Sequence, residues 1–272
     1  MPASNERALE KAKTIAADAF IFDLEDAVAP DAKAAARERA VAAVQDRASY
    51  GGRVLTIRCN GLDTPWGADD LAAAGAAEPD AVVLTKVTGV AHLEEAAALL
   101  PAGTRLWAMI EVPSAIFDAR QIAHHPAVSA FVLGTNDLAR ELRAPLQAGR
   151  AALVPHLATA VLAAREAGIA VLDGVFNDVK DPVGFETEAR QGLALGFDGK
   201  SLVHPGQVEP ANAVWAPTDE EIAFSRRVIE AFEEATKAGQ GVAVVDGRMV
   251  ENLHRDNALR TLAMAEAIAA LA

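Results

Sequence analysis

Seven places along this chain set a charged or amide side chain where an apolar, strand-like run ends: Asp23/Glu25/Asp26, Arg58/Asn60, Lys86, Glu111, Asn136/Asp137, Asp173 and His204. The first is the sharpest. In AFIFDLEDAV, residues 19–28, a bulky apolar run suited to burial on both faces meets three carboxylates within four residues. Burying unpaired carboxylates is costly, so the run must open into a polar site.

Glu111 and Asp137 form the most informative pair. Two carboxylates at neighbouring strand ends, with no His or Cys beside them, suit a hard cation such as Mg2+, which keeps several waters. Helix N-capping is the alternative. It suits Asp137 better than Glu111, which precedes Val112-Pro113. Arg58 beside a metal would grip a carbonyl or carboxylate and stabilise an enolate oxygen; a salt bridge to Glu25 or Asp26 is its other role. Lys86 either polarises a substrate or pairs with an acid. Arg58, Lys86 and Asn136 are the substrate-facing candidates. His204, before Pro205, reads as structural, and His124-His125 read as surface residues. Gly134-Thr135-Asn136-Asp137 is a turn into a helix rather than a dinucleotide fingerprint, and neither a Walker A loop nor a GxSxG elbow occurs.

The elements that must carry these residues alternate. Strands are predicted at 19–25, 53–59, 81–87, 105–111, 128–133, 169–173 and 198–204. Helices are predicted at Asp31–Gln45, Trp66–Gly75, Ala91–Leu100, Ala115–His124, Asn136–Leu142, Pro155–Ala167 and Gly184–Leu195. Such alternation means βαβ units and a parallel sheet. Seven strands over about 200 residues predict an α/β fold of the (β/α)8 TIM-barrel class, whose chemistry sits at the carboxyl ends of its strands. The eighth strand is missing. Ser4 or Asn5 caps a helix through Ala17, directly ahead of the first strand. Either the barrel is incomplete or the start lies upstream of Met1; the second is the expectation. The barrel is expected over 1–216. A C-terminal extension, 217–272, should hold a helix from Thr218 to Ala238, a β segment at 241–245, a turn at Asp246-Gly247 and a helix from Asn252.

Composition excludes several classes. No apolar run approaches the roughly 18–20 residues of a membrane span, and no signal peptide is evident. The lone Cys59 leaves no internal disulfide or cysteine-based zinc site, so a reducing cytoplasm is expected. A formal net charge of -13 without a Lys/Arg cluster argues against nucleic acid.

The blocks FDLEDAVAPDAKAAAR, RCNGLDTPWGADDL, VLTKV, AMIEVPSAI, VLGTNDLA, FDGKSLVHPGQV and GVAVVDGRMVEN, in this order, resemble the citrate lyase β-subunit-like branch of the HpcH/HpaI aldolase family. Its members include malyl-CoA, citramalyl-CoA and citryl-CoA lyases and (3S)-malyl-CoA thioesterases. The resemblance implies a barrel assembled as a homotrimer or homohexamer. It implies Mg2+, with Mn2+ as a substitute, on Glu111 and Asp137, Arg58 on the reacting oxygens, and Asp26, next to Glu25 in the DLED motif, ordering the metal waters. It also implies a CoA thioester substrate, with the C-terminal segment of a neighbouring subunit folding over the site. Relatives usually begin with a strand ahead of PASNERALEKA. The lyases usually carry Asp as acid/base where Glu251 stands. A shift of about 1 Å can cost on the order of 100-fold in a positioned reaction, and VENLH resembles the thioesterases more. Thr85 and Val112 are lesser departures. The expected activity is therefore C–C cleavage of a short 3-hydroxyacyl-CoA such as malyl-CoA or citramalyl-CoA. Thioester hydrolysis through Glu251 follows closely, and a CoA-independent keto-acid aldolase is a further alternative.

Overall fold

The computed structural model describes residues 1–145 and 149–271. These residues form two compact units, Met1–Ala211 and Asn212–Ala272, so the boundary falls inside the helix Val208–Trp215.

The first unit is built on a curled parallel sheet, an open half-barrel. Its strands are β1 (Ala19–Asp23), β2 (Val54–Arg58), β3 (Ala81–Leu84), β4 (Leu106–Ile110), β5 (Val128–Leu133), β6 (Ala170–Asp173) and β7 (Gly199–Lys200). They pair in chain order, each parallel to the next, with helices in the connections. Among the described residues no pairing joins β7 back to β1, so the eight-stranded ring is not closed. The edge of β1 is instead lined by the first residues. The Met1 ammonium donates to the Ile21 carbonyl at 2.6 Å, Asp23 N–H to the Met1 carbonyl at 2.8 Å, and Ala3 N–H to the Asp23 carbonyl at 3.0 Å. Pro2 bridges Asp23 in the parallel sense, like a fragment of a further strand. The opening helix runs only over Glu6–Ala12, capped by the Asn5 side chain, which accepts from Ala8 N–H at 3.1 Å.

Strand register decides which residues share a face. Side chains alternate along a strand, and in-register partners point the same way. Ile21 pairs with Thr56 and Asp23 with Arg58; Arg58 pairs with Val83, Val83 with Trp107, Met109 with Val132, and Val132 with Leu172. Val83, Met109 and Val132 form a buried apolar cluster, flanked by Ile21, Trp107 and Leu172. Two residues further along the same face come Asp23, Glu111 and Gly134. The apolar interior thus gives way to charge at the carboxyl ends of the strands. The opposite face of β1 carries Phe20 and Phe22, both edge-on to the buried Tyr50.

The predicted elements at 198–204 and 115–124 also change. The run 198–204 keeps only Gly199–Lys200 as strand, because a turn centred on Pro205-Gly206 takes the rest: His204 Nδ1 accepts from Gly206 N–H at 3.1 Å, and Gln207 accepts from Val203 and His204 N–H. The predicted helix 115–124 divides at Asp118 into Pro113–Phe117 and Ala119–Ala123.

In the second unit a helix spans Asp219–Lys237, opened by a capping box between Thr218 and Glu221. The strand β8 (Ala243–Val245), within the expected β segment 241–245, pairs antiparallel across the expected turn with β9 (Arg248–Val250), a strand the sequence reading lacks. Asp246 and Gly247 both take positive φ, 50° and 76°, as the tight hairpin turn requires. A helix follows over Asn252–Leu271. Phe232, Val228, Val245, Val250 and Ala258 make its core. No helix among the described residues is long and apolar enough to cross a membrane.

Candidate active site

The centre of the site is a chain of charges across β1, β2 and β3. Arg58 donates from Nε to Asp23 Oδ1 at 2.6 Å and from Nη2 to Oδ2 at 2.8 Å. Its Nη1 lies 3.0 Å from Glu25 Oε2. Glu25 Oε1 in turn holds the Lys86 ammonium in a very short contact. Burial alone would raise the Asp23 carboxyl, but the two bonds from Arg58 hold it below the ordinary carboxylate range. Lys86 moves upward despite partial burial, because Glu25 accepts from it. Of the two roles open to Lys86, pairing with an acid is the one seen here. Arg58 pairs with Glu25, as one sequence alternative has it, but its main partner is Asp23 rather than Asp26.

Glu111 comes next along the mouth. It is almost fully buried, just past the end of β4, and accepts from the Lys86 backbone N–H at 2.6 Å. Lys86 sits in the left-handed region, φ 50°, unusual for a residue with a long side chain. Burial first, and then the nearby charges of Asp137 and Glu25, lift the Glu111 carboxyl to about 7. Gly134 gives it room: a methyl at that position would stand 2.5 Å from the Glu111 Cβ and closer still to its carboxylate. Asp137 lies in the first turn of the helix Thr135–Glu141, directly after β5, and pairs with Arg140 at 2.7 Å. No described group of three or more His, Cys, Asp or Glu side chains is preassembled around a metal. Yet Glu111 and Asp137 fit a hard cation. A buried carboxylate raised by a second carboxylate, with one backbone donor for support, marks a negative site that a divalent ion would relieve.

The other candidates are placed as follows. Asp26 is exposed beside Glu25, whose carboxylate accepts its backbone N–H at 3.2 Å. With Glu25, Lys33, Asn60, Trp66 and Lys86 it lines a cleft of about 220 Å³ at the ends of β1 to β3. A larger hollow of about 420 Å³ lies at the opposite ends of β4 and β5, remote from these groups. Asn136 exchanges two side-chain hydrogen bonds with Asn177, at 2.7 and 3.2 Å. Glu251 belongs to the second unit, at the junction of β9 and the last helix. Its backbone N–H donates to His254 Nδ1 at 3.1 Å. His204 caps a turn, in keeping with its structural reading.

Two buried networks escaped the sequence reading. Lys33 donates to the carbonyls of Leu24 and Glu25, each at 2.8 Å, and to Asn60 Oδ1 at 2.7 Å, while Asn60 and Arg37 both donate to Asp70. Burial pulls the Lys33 ammonium down. The available signal was its spacing: Lys33 lies on the same helical stripe as the buried Ala36 and Ala40. At the ends of β6 and β7, Asp173 accepts from Arg150 at 2.7 Å and from Lys200 at 3.1 Å; Lys200 also reaches Glu188 at 2.8 Å.

Comparison with known proteins finds relatives along nearly the whole chain. The family model described as HpcH/HpaI aldolase/citrate lyase matches residues 1–205. A (3S)-malyl-CoA thioesterase of Cereibacter sphaeroides is 52% identical over 270 residues, 99% of this chain and 94% of that protein. The citrate lyase β subunit of Escherichia coli is 35% identical over 277 aligned positions, 98% of this chain and 91% of that protein. Among solved structures, CitE of Mycobacterium tuberculosis in complex with magnesium, acetoacetate and coenzyme A superposes with a TM-score of 0.80 at 29% identity, covering 98% of this chain and 96% of the other. The curled parallel sheet, the acids at its carboxyl edge and these likenesses over nearly the whole length lead to one assignment: the chain belongs to the HpcH/HpaI aldolase/citrate lyase family.

Proposed function

We propose that this protein is a Mg2+-dependent enzyme of short 3-hydroxydicarboxylyl-CoA thioesters, malyl-CoA first among them, and that it hydrolyses the thioester to malate and CoA. The observation that carries the reading is the Glu111–Asp137 pair at the mouth that Arg58 also faces, in a chain 52% identical to a (3S)-malyl-CoA thioesterase. That identity moves hydrolysis ahead of C–C cleavage, the reverse of the order reached from sequence.

Glu111 and Asp137 would hold the ion, which when bound supplies a Lewis acid for the oxygens of the hydroxy-acid end. Arg58 is oriented before substrate arrives. Two of its nitrogens face Asp23 and the third faces Glu25, so little reorganisation is needed when a substrate oxygen meets it. Asp26 faces the cleft, where it would orient water, and Asn136 is steadied by Asn177. Glu251 is the proposed base. It takes a proton from water, the water oxygen bonds to the thioester carbon, the C–S bond breaks, and the CoA sulfur leaves and gains a proton. In this reading, residues 217–272 bring Glu251 to the site of a neighbouring subunit in a cytoplasmic homotrimer or homohexamer.

C–C cleavage to glyoxylate and acetyl-CoA is the second reading, favoured by the likeness to the citrate lyase β subunit. One assay separates the two: purified protein, Mg2+ and (3S)-malyl-CoA, with malate, CoA, glyoxylate and acetyl-CoA quantified separately. Malate and CoA without glyoxylate support hydrolysis. Equal glyoxylate and acetyl-CoA make the enzyme a lyase. No product from malyl-CoA overturns the substrate.

A further inference from the structure

The proposed metal ligand Asp137 already has a cation on it. Arg140 Nη1 lies 2.7 Å from Asp137 Oδ1, three residues further along the same helix, where side chains share a face. The two ends of this pair differ in setting. The Asp137 side chain keeps 14% of its exposure; that of Arg140 keeps 63%. Across the mouth stand Glu111 and Glu25, both buried. The charges of Asp137 and Glu25 both act on Glu111, and Arg140 sits on the first of these carboxylates.

A hard divalent ion needs oxygen ligands within about 2.0–2.6 Å, and a guanidinium already on Asp137 Oδ1 draws on the same carboxylate charge. The guanidinium and the ion therefore compete for Asp137. The geometry points to Arg140 as a built-in counter-cation of the metal site: it holds Asp137 while the ion is absent and must release it for the ion to bind. A landing place exists. Arg140 Nη2 already lies 3.1 Å from Glu141 Oε1, so the freed side chain stays on the helix surface. This inference rests on Glu111 and Asp137 being the metal pair.

The test is calorimetric titration of the full-length protein with MgCl2 at low ionic strength, without substrate. Arg140→Gln removes the competitor and should bind Mg2+ about two- to fivefold more tightly, the scale of an exposed ion pair, with the gain shrinking as NaCl is added. Arg140→Glu should bind more tightly still, and Arg140→Lys should stay close to wild type. Arg190→Gln changes net charge equally at an exposed pair elsewhere, with Glu186, and should leave the affinity unchanged. Unchanged or weaker Mg2+ binding in both Arg140→Gln and Arg140→Glu, beside a wild type that binds, overturns the counter-cation role and leaves the metal pair standing. A wild type that takes up no Mg2+ removes the metal pair and this role together.

Discussion

Asp23 and Arg58 stand directly opposite one another on adjacent parallel strands and are joined by two hydrogen bonds of 2.6 and 2.8 Å. Both belong to the face that, one step deeper, is the apolar interior of the sheet. Asp23 also accepts the backbone N–H groups of Glu25 and Ala27, so one carboxylate shapes the DLED turn and aims the arginine.

Breaking this pair should therefore damage fold and site together. Asp23→Asn leaves a largely buried guanidinium short of its counter-charge, at a cost of about 3–5 kcal/mol. Urea unfolding should show it. Because Asp23 is held below its ordinary range, the stabilisation is present above that range and disappears as pH falls through the lowered value. Acid unfolding of wild type should thus steepen where that of Asp23→Asn does not.

Glu111 predicts the opposite pH dependence. Its folded value of about 7 lies above the ordinary 4.5. The fold thus favours the protonated form, and that contribution is complete below about pH 4.5 and is lost as pH rises through 7. The loss amounts to about 3 kcal/mol by linkage. With EDTA present, wild type should lose stability between pH 5 and pH 8 relative to Glu111→Gln. Mg2+ should restore it at pH 8 and do little at pH 5, since only the carboxylate is a ligand. Equal pH profiles for the two proteins would defeat the assignment.

Gly134 is needed for space rather than for backbone freedom, since its φ is -95°. Gly134→Ala pushes a methyl against the Glu111 side chain, an overpacking that costs about 1–3 kcal/mol. The expected result is at least about tenfold weaker Mg2+ binding, since a displaced ligand loses its geometry. Calorimetry that finds wild-type affinity would show that Glu111 is not the ligand.

Glu251 should separate chemistry from metal binding. Glu251→Gln is expected to lower kcat for malyl-CoA hydrolysis by about 100-fold or more while leaving Mg2+ affinity unchanged. Full hydrolytic activity in Glu251→Gln would place the base elsewhere. Glu251→Asp, one methylene shorter, tests reach: restored glyoxylate release would tie the choice between the two reactions to that length.

Local chemistry in the sequence determined much of this protein. Alternating apolar runs and helical stretches specify the parallel sheet. Their place where each apolar run ends marks Asp23, Arg58 and Glu111 as groups of one mouth. The carboxylate after Met109-Ile110 and the one in the GTND turn are legible as a pair because their strands are consecutive. Tertiary structure alone decided who pairs with whom. Asp23 rather than Asp26 takes Arg58 because the β1–β2 register sets them level, and a slip of one residue would send either side chain to the other face. Lys33 and Lys200 are buried as partners of distant residues, although lysine is among the side chains least often enclosed. Asn136 finds Asn177 across 41 positions of sequence. Such choices depend on distances between segments that the folded sheet brings together, and no local pattern encodes them.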